Sequence, residues 1–211
     1  MKFSAIILAG GRAKRLGTFK PMVMLNNKPL ISYVINCLLK IADQLIIVIK
    51  NDIQMKYLKN ILFDIKNIEY VFDEDEDGIL FAIKSGLKHC RNNVVFITGC
   101  DIPLINDKVV LHMVNEIFNS DCDAVVPRWK NGFIEPLYSV YKVNATFKAL
   151  NRALNSNYRS VRNLLKFLKV KYLSAEMLEE MAGCPTFLNV NTFGDLKLAE
   201  KYLSTTTSFS P

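Results

Sequence analysis

The sequence predicts an α/β fold of the Rossmann-like type, with three layers and a doubly wound, mostly parallel sheet between the helices. Two observations lead to this prediction. Short runs of Ile, Val, Leu and Phe recur in the first hundred residues and are apolar on both faces, as strands covered by helices on both sides are. Segments of helical length separate these runs, so strands and helices alternate along the chain.

The elements of the first half follow from length and periodicity. Pro29 suits a first helical turn, and Ile31, Val34, Ile35 and Leu38 recur at helical spacing after it. The predicted strands cover residues 3–9, 45–49, 68–72 and 94–98. The predicted helices cover residues 29–42, 53–63 and 79–90.

The second half is less regular, and we expect it to add a small, partly antiparallel extension at the C-terminal side. Helices are predicted over residues 107–119, over 143–168 with a break near Asn155, and over 195–203. Strands are predicted over 124–127, 135–141, 170–173 and 187–190. No Gly-, Pro- or Ser-rich linker divides the chain, so we expect one domain over residues 1–203 and a disordered tail over 204–211.

Composition narrows the classes of function. The 211 residues include 27 Lys and Arg against 20 Asp and Glu, and the net charge of +7 favours an anionic partner. Five cysteines without C-x-x-C spacing, and only two histidines, argue against a disulfide framework or a zinc site. No apolar run reaches the ~18 residues of a membrane span, and the apolar start ends at Gly10. We therefore expect a cytoplasmic protein without a membrane partner.

The most informative segment is the loop after the first predicted strand. Gly10 and Gly11 allow the backbone to approach a ligand closely, and cations follow at positions 12, 14, 15 and 20. The loop is neither a Walker A sequence nor G-x-G-x-x-G. It lies at the carboxyl end of a strand, where open α/β sheets bind ligands. These features favour a triphosphate as the ligand of the loop. The alternative is a glycine-rich turn whose basic side chains are only solvated.

Two acidic positions follow later strands. Asp101 lies just beyond the fourth predicted strand and before Ile102-Pro103, where a hard carboxylate suits Mg²⁺ held together with substrate phosphates. The alternative for Asp101 is a turn that caps the next helix. Asp73 opens a run of five acids that ends before Gly78, and such a run is ordinarily a solvated loop.

The pattern L-A-G-G-x-x-x-R-x-G-x-x-K, with C-D-x-P-x-I further on, resembles the nucleotidyltransferases of the molybdenum cofactor guanylyltransferase (MobA) type. The resemblance implies a fold like that of nucleotide-diphospho-sugar transferases, an N-terminal half that binds nucleotide and a C-terminal half that binds the acceptor. It implies three catalytic residues, Arg15, Lys20 and Asp101, with Asp101 as the Mg²⁺ ligand. The nucleotide-binding residues that it implies are Leu8, Ala9, Gly10, Gly11, Arg15, Gly17, Lys20, Asp73 and Asp101.

The chain departs from the family pattern at two places. Phe19 stands where many members have Asp before the lysine, and Ile79-Leu80-Phe81-Ala82 follows Gly78 where the family usually has Pro-Leu-Ala-Gly.

Near the C-terminus, the segment from Asn189 to Leu196 resembles the family's N-x-N-T-P-x-D-L, with Phe193 in place of proline. The resemblance implies that Asn189 and Asn191 contact the acceptor. The alternative for them is local, because asparagines bond turns and Thr192 suits a helix cap. Arg159 and Arg162 either reach the acceptor phosphate or lie on a solvated helix face.

The function implied is Mg²⁺-dependent transfer of GMP from GTP to molybdopterin, with release of pyrophosphate. The L-A-G-G pattern that ends at Gly11 favours GTP, because relatives that use CTP tend to read L-A-A-G. A related enzyme that uses CTP or another phosphorylated acceptor, such as a sugar phosphate or an archaeal cofactor, is the first alternative. A non-catalytic nucleotide- or nucleic-acid-binding module is the second. We expect no nucleic-acid partner, because the distinctive cations are confined to one loop.

Overall fold

The computed structural model describes residues 1–13, 18–63, 67–73 and 78–207. Seven strands form the main sheet, in the order β7-β5-β6-β4-β1-β2-β3. They are β1 Ser4–Leu8, β2 Gln44–Ile49, β3 Ile68–Phe72, β4 Val94–Gly99, β5 Ala124–Arg128, β6 Tyr138–Lys142 and β7 Val170–Ser174. Of these, only β6 runs against its neighbours, since it is antiparallel to both β4 and β5. The predicted fold class and its partly antiparallel extension are confirmed.

The strand next to the central β4 is β1, which pairs in parallel with β2 on one side and with β4 on the other. Ala5 aligns with Leu45 in β2 and with Phe96 in β4. Every residue of β1 is buried, as expected for a strand with helices on both faces of its sheet. The carboxyl ends of β1, β2 and β4 therefore lie next to one another, with that of β3 beyond β2.

Helices cover both faces of the sheet. The face that carries Ala5 and Ile7 packs against α1 Leu30–Leu38, α2 Asp52–Ile61, α4 Asp107–Phe118 and α7 Ala175–Ala182. The opposite face, with Ile6 and Leu8, packs against α3 Ile79–Lys88, α5 Val143–Asn155 and α6 Val161–Leu164. No helix in the described part of the chain has the length and hydropathy needed to cross a membrane.

Three expectations about the C-terminal half are corrected. Residues 187–190 do not form a strand, because the backbone N–H of Leu188 closes a turn onto Pro185 and that of Val190 donates to the carbonyl of Asp101. Helix α7 was not anticipated from the sequence. The last helix, α8 Phe193–Thr207, is longer than predicted. Residues 204–207, expected in the disordered tail, are therefore helical, and residues 208–211 lie outside the described residues.

A third apolar cluster holds the C-terminal segment against the first loop. Val23, Leu25 and Leu30 from the N-terminal part pack with Val190 and Ala199. Leu25 lies in a short hairpin, Met24–Leu25 with Lys28–Pro29. The tight turn of this hairpin uses the positive φ angles of Asn26 and Asn27, 47° and 60°. This cluster brings the segment before α8 to the edge of the sheet where β1 and β4 end.

Candidate functional site

A cavity of about 490 Å³ lies at the carboxyl ends of β1, β2, β3 and β4. We call it the strand-end cavity. It has the position at which open α/β sheets bind ligands. Its lining residues are Leu8, Gly10, Gly11, Lys20, Lys50, Asp73, Gly78, Ile79, Ala82, Gly99, Cys100, Asp101, Leu137, Asn189 and Asn191.

Most of the residues singled out from the sequence meet in this cavity. Leu8, Gly10, Gly11, Lys20, Asp73, Asp101, Asn189 and Asn191 all line it. Ala9 does not line it, because its side chain is fully buried and its N–H donates to the carbonyl of Val48 at 2.9 Å. Arg15 and Gly17 lie outside the described residues. Arg12 is in a two-residue strand paired with Thr18–Phe19.

The central contact of the cavity joins Lys20, Asp101 and Asn191. The ammonium of Lys20 forms an ion pair with Asp101 Oδ2 and donates a hydrogen bond of 2.8 Å to Asn191 Oδ1. The side chains of Lys20 and Asp101 are 19% and 10% exposed. Water screens such a pair less than it screens a pair on the surface. The attraction between the two charges is therefore strong, and it fixes the positions of both side chains.

The carboxylate of Asp101 is held by its surroundings as well as by Lys20. A Cβ on Gly99 would overlap Asp101 Oδ1, so only glycine at position 99 leaves room for this orientation. The carbonyl of Asp101 accepts a hydrogen bond of 2.9 Å from Val190 N. This bond ties the loop after β4 to the segment that carries Asn189 and Asn191.

The two asparagines have different local partners. Asn189 Nδ2 donates to the carbonyl of Phe187 at 3.0 Å. Asn191 bonds Lys20 through its side chain, while its N–H donates to Asp195 Oδ2 at 2.9 Å. Thr192 caps α8, since its hydroxyl oxygen accepts from Asp195 N at 3.2 Å. Thr192 and Asn189 thus have the local partners that the alternative expected, and both Asn189 and Asn191 line the cavity.

A chain of buried hydrogen bonds joins three segments that flank the cavity. The phenol oxygen of Tyr138, fully buried at the start of β6, accepts from Asn106 N at 3.2 Å and lies 3.0 Å from the Thr186 hydroxyl. Thr186 in turn donates to the carbonyl of Leu104 at 3.0 Å. Tyr138 thus connects the loop after Asp101 with the segment before Asn189.

The cysteine that lines the cavity is not an activated nucleophile. Cys100 is buried, and burial together with the charge of Asp101 raises the pKa of its thiol well above the ordinary value. The thiol is therefore neutral and lines the cavity as an apolar group. The chemistry available is that of charges and hydrogen bonds, which suits ligand positioning and charge stabilisation.

The donor groups of the cavity fit a hard cation whose remaining ligands are substrate phosphates and waters. Within the described ranges, no group of three or more His, Cys, Asp or Glu residues could enclose a metal ion. Asp101 offers one carboxylate, which is how Mg²⁺ is commonly held when substrate phosphates and waters complete its shell. A soft or tetrahedral metal would need nitrogen or sulfur ligands, and such a set is absent from the described part of the cavity.

The sequence analysis missed several lining residues, of which Lys50 is the most informative. Lys50 directly follows β2, and its side chain packs so closely on Gly10 that an added Cβ would lie 3.0 Å from its Cγ. The rule that ligands bind where parallel strands end could have found this lysine. Ile79, Ala82 and Leu137 add an apolar wall that no motif marked.

Arg159 and Arg162, for which the sequence left two roles open, lie in different places in the structure. The guanidinium of Arg159 donates to the carbonyl of Tyr158 at 3.2 Å and lies 6.0 Å from the centre of the Phe81 ring. Arg162 lines a second cavity, at the ends of β5 and β7. Neither arginine lines the strand-end cavity.

Comparisons with known proteins agree with this arrangement. Residues 5–174 match the family described as the MobA-like NTP transferase domain. A protein of Natranaerobius thermophilus named "Probable molybdenum cofactor guanylyltransferase" is 30% identical over 96% of this chain and 97% of its own length. One of the same name from Methanocaldococcus jannaschii is 30% identical over 92% of this chain and 96% of its own length.

Solved structures show the same fold. The molybdopterin-guanine dinucleotide biosynthesis protein A of Archaeoglobus fulgidus has a TM-score of 0.80 and 27% identity, over 96% of this chain and 99% of its own. The 4-diphosphocytidyl-2C-methyl-D-erythritol synthase of Anaerococcus prevotii has a TM-score of 0.74 over 96% of each chain. Its identity is only 17%, so this likeness concerns the fold alone.

The buried hydrogen bonds of Tyr138 can be tested directly. We expect Tyr138→Phe to lower the free energy of unfolding by about 1–3 kcal/mol, because the N–H of Asn106 loses its acceptor inside the protein. Tyr172→Phe is the matched control, since Tyr172 lies at the surface. Its free energy of unfolding should stay within about 0.5 kcal/mol of the wild-type value. Urea denaturation measures both variants, and equal stability would show that the Tyr138 hydroxyl does not hold these segments together.

Proposed function

The chain belongs to the MobA-like NTP transferase family and is a nucleotidyltransferase, and we propose that it transfers GMP from GTP to the terminal phosphate of molybdopterin, releasing pyrophosphate. The observation that carries this proposal is the contact of Lys20 with Asp101 in the strand-end cavity. A cation suited to phosphate oxygens lies there beside a carboxylate suited to Mg²⁺, which supports the proposal. The names of the relatives support GTP and a molybdopterin acceptor.

The order of the strands suggests how the nucleotide lies. Asp101 follows β4, Gly10 follows β1, Lys50 follows β2 and Asp73 follows β3. Neighbouring strands are about 4.8 Å apart, so two spacings, about 10 Å, separate the ends of β4 and β2. With the α-phosphate near Lys20 and Asp101, the nucleoside extends over Gly10 toward Lys50 and Asp73. Leu8, Ala9, Gly10 and Gly11 would contact it through the backbone, and Arg15 and Gly17 would complete the phosphate loop.

The residues act by positioning and by stabilising charge. Lys20, with Arg15, offsets the negative charge that develops on the bridging and leaving oxygens, and Asn191 holds the Lys20 ammonium in place. Mg²⁺, held by Asp101 and the phosphates, would supply a Lewis acid and a template. The acceptor phosphate attacks the α-phosphorus in line. It needs no side-chain base, because a phosphate is already ionised near neutral pH.

The residues at the far end of the cavity favour guanine. Lys50 brings a cationic donor to the side where the base lies. Guanine offers the acceptors O6 and N7 to such a donor, whereas adenine and cytosine place an amino group at the corresponding edge. The L-A-G-G sequence of residues 8–11 agrees with this choice. CTP is the competing substrate, and no contact of the described residues favours it.

Asp101 is the first residue to test. We expect Asp101→Asn to lower pyrophosphate release from GTP and molybdopterin by at least about a hundredfold, since the neutral amide is a poor Mg²⁺ ligand. The control is Asp52→Asn, at the exposed start of α2, which should keep wild-type turnover. Full activity in Asp101→Asn, with an unchanged dependence on Mg²⁺, would remove Asp101 from the site.

Lys20 tests the phosphate contact separately. Lys20→Met keeps the length of the side chain but not its charge, and we expect turnover to fall by about 10²–10³-fold. Lys28→Met, an exposed lysine outside the cavity, is the matched control. Steady-state kinetics with GTP and molybdopterin measure both variants, and unchanged kcat and KM in Lys20→Met would assign the phosphate contact to another cation.

A further inference from the structure

A second cavity, of about 650 Å³, lies where β5 and β7 end. We call it the basic cavity. This volume is within the range of small-molecule sites. Its lining residues are Arg128, Trp129, Lys130, Gly132, Ile134, Arg162, Leu165, Lys166, Tyr172, Leu173, Ser174 and Glu176.

The lining combines positive charge with aromatic rings. Four cations stand against one carboxylate, that of Glu176, which already accepts hydrogen bonds from Lys130 N at 2.8 Å and from the Ser174 hydroxyl at 2.9 Å. The Arg128 guanidinium lies 4.6 Å from the centre of the Tyr172 ring. Aromatic faces suit a flat heterocycle, and the cations beside them suit negatively charged groups attached to it.

The basic cavity and the strand-end cavity lie close together at the same edge of the sheet. Ile134 lines the first and Leu137 lines the second, and three residues of chain span at most about 10 Å. Behind this segment, the Trp129 ring packs edge-on against Phe187 with 5.7 Å between ring centres. The carbonyl of Phe187 accepts from Asn189, a residue of the strand-end cavity. One elongated molecule could therefore reach from one cavity into the other.

The order of the strands leaves room for one substrate on each side of Asp101, along the edge where the parallel strands end. Asp101 follows β4, near the middle of the order β7-β5-β6-β4-β1-β2-β3. If the nucleotide lies on the side of β1, β2 and β3, the acceptor has to extend toward β5 and β7. We propose that the basic cavity binds the pterin ring system of the acceptor and the negatively charged dithiolene sulfurs beside it, while the terminal phosphate of the acceptor reaches Lys20 and Asp101. This inference rests on the proposed function for the identity of the acceptor.

Trp129 makes the proposal measurable without catalysis. It is the single tryptophan of the chain and lines the basic cavity. We expect anaerobic titration with molybdopterin, without nucleotide, to quench the tryptophan fluorescence in a saturable way. GTP with Mg²⁺ alone should leave the fluorescence nearly unchanged, because it binds on the other side of β6.

Paired variants identify the cations that bind. Arg162→Gln/Lys166→Gln should weaken molybdopterin binding by at least about tenfold and raise its KM, with the KM for GTP unchanged. Lys148→Gln/Arg152→Gln removes the same charges from the exposed face of α5, and this control should bind as the wild type does.

The outcomes separate this proposal from the proposed function. Wild-type affinity in Arg162→Gln/Lys166→Gln, or no quenching in the wild-type protein, would overturn the assignment of the basic cavity. If molybdopterin binds at Trp129 but no nucleoside triphosphate yields pyrophosphate, the transferase chemistry proposed above fails while the binding site stands. If transfer proceeds normally in the double variant, the function stands and the pterin lies elsewhere.

Discussion

The ion pair between Lys20 and Asp101 is the contact on which the site depends. It joins the first loop to the loop after β4, and the hydrogen bond from Lys20 to Asn191 adds a segment 171 residues further along the chain. Largely removed from water, each charge needs the other, because an unpaired charge at this depth would be costly. The pair also brings the two kinds of group that phosphoryl transfer requires to one place. In the function proposed above, the cation contacts phosphate oxygens and the carboxylate holds the metal.

The sheet positions the residues that surround this ion pair. Parallel strands β4, β1 and β2 place their carboxyl ends side by side, so residues distant in sequence line one cavity. The reversal at β6 makes the chain re-enter the same edge through residues 129–137, and this segment separates the strand-end cavity from the basic cavity. A two-substrate reaction needs such a division, because both substrates must meet at one phosphorus atom while the rest of each extends away.

Local sequence patterns were sufficient for most of the sheet and for the cavity's main residues. The four strands of the first half show as apolar runs, and the residues that follow each strand lie at the ligand edge, which places Gly10, Asp73 and Asp101. The same rule covers Lys50, which was overlooked because no motif marked it. The apolar run at 187–190 suggested a strand, but Val190 N donates to Asp101 instead of to a neighbouring strand.

Helix α7 and the contact of Asn191 illustrate what local patterns miss. α7 has only eight residues, Ser174 caps its start by accepting from Met177 N, and Gly183 ends it with a φ of 67°. These caps are readable in the sequence, yet so short a helix gives little periodicity. Asn191 reaches Lys20 because Val190 and Ala199 pack against Val23 and Leu25, a tertiary contact that no local pattern encodes.

The most direct measurement is a crystal structure of the protein with Mg²⁺ and a non-hydrolysable GTP analogue. We expect the Asp101 carboxylate to contact the metal at about 2.1 Å. Lys20 Nζ should lie within hydrogen-bond distance of a phosphate oxygen, and the guanine should lie toward Lys50 and Asp73. A nucleotide bound outside the strand-end cavity, with the Lys20–Asp101 ion pair intact, would contradict the account.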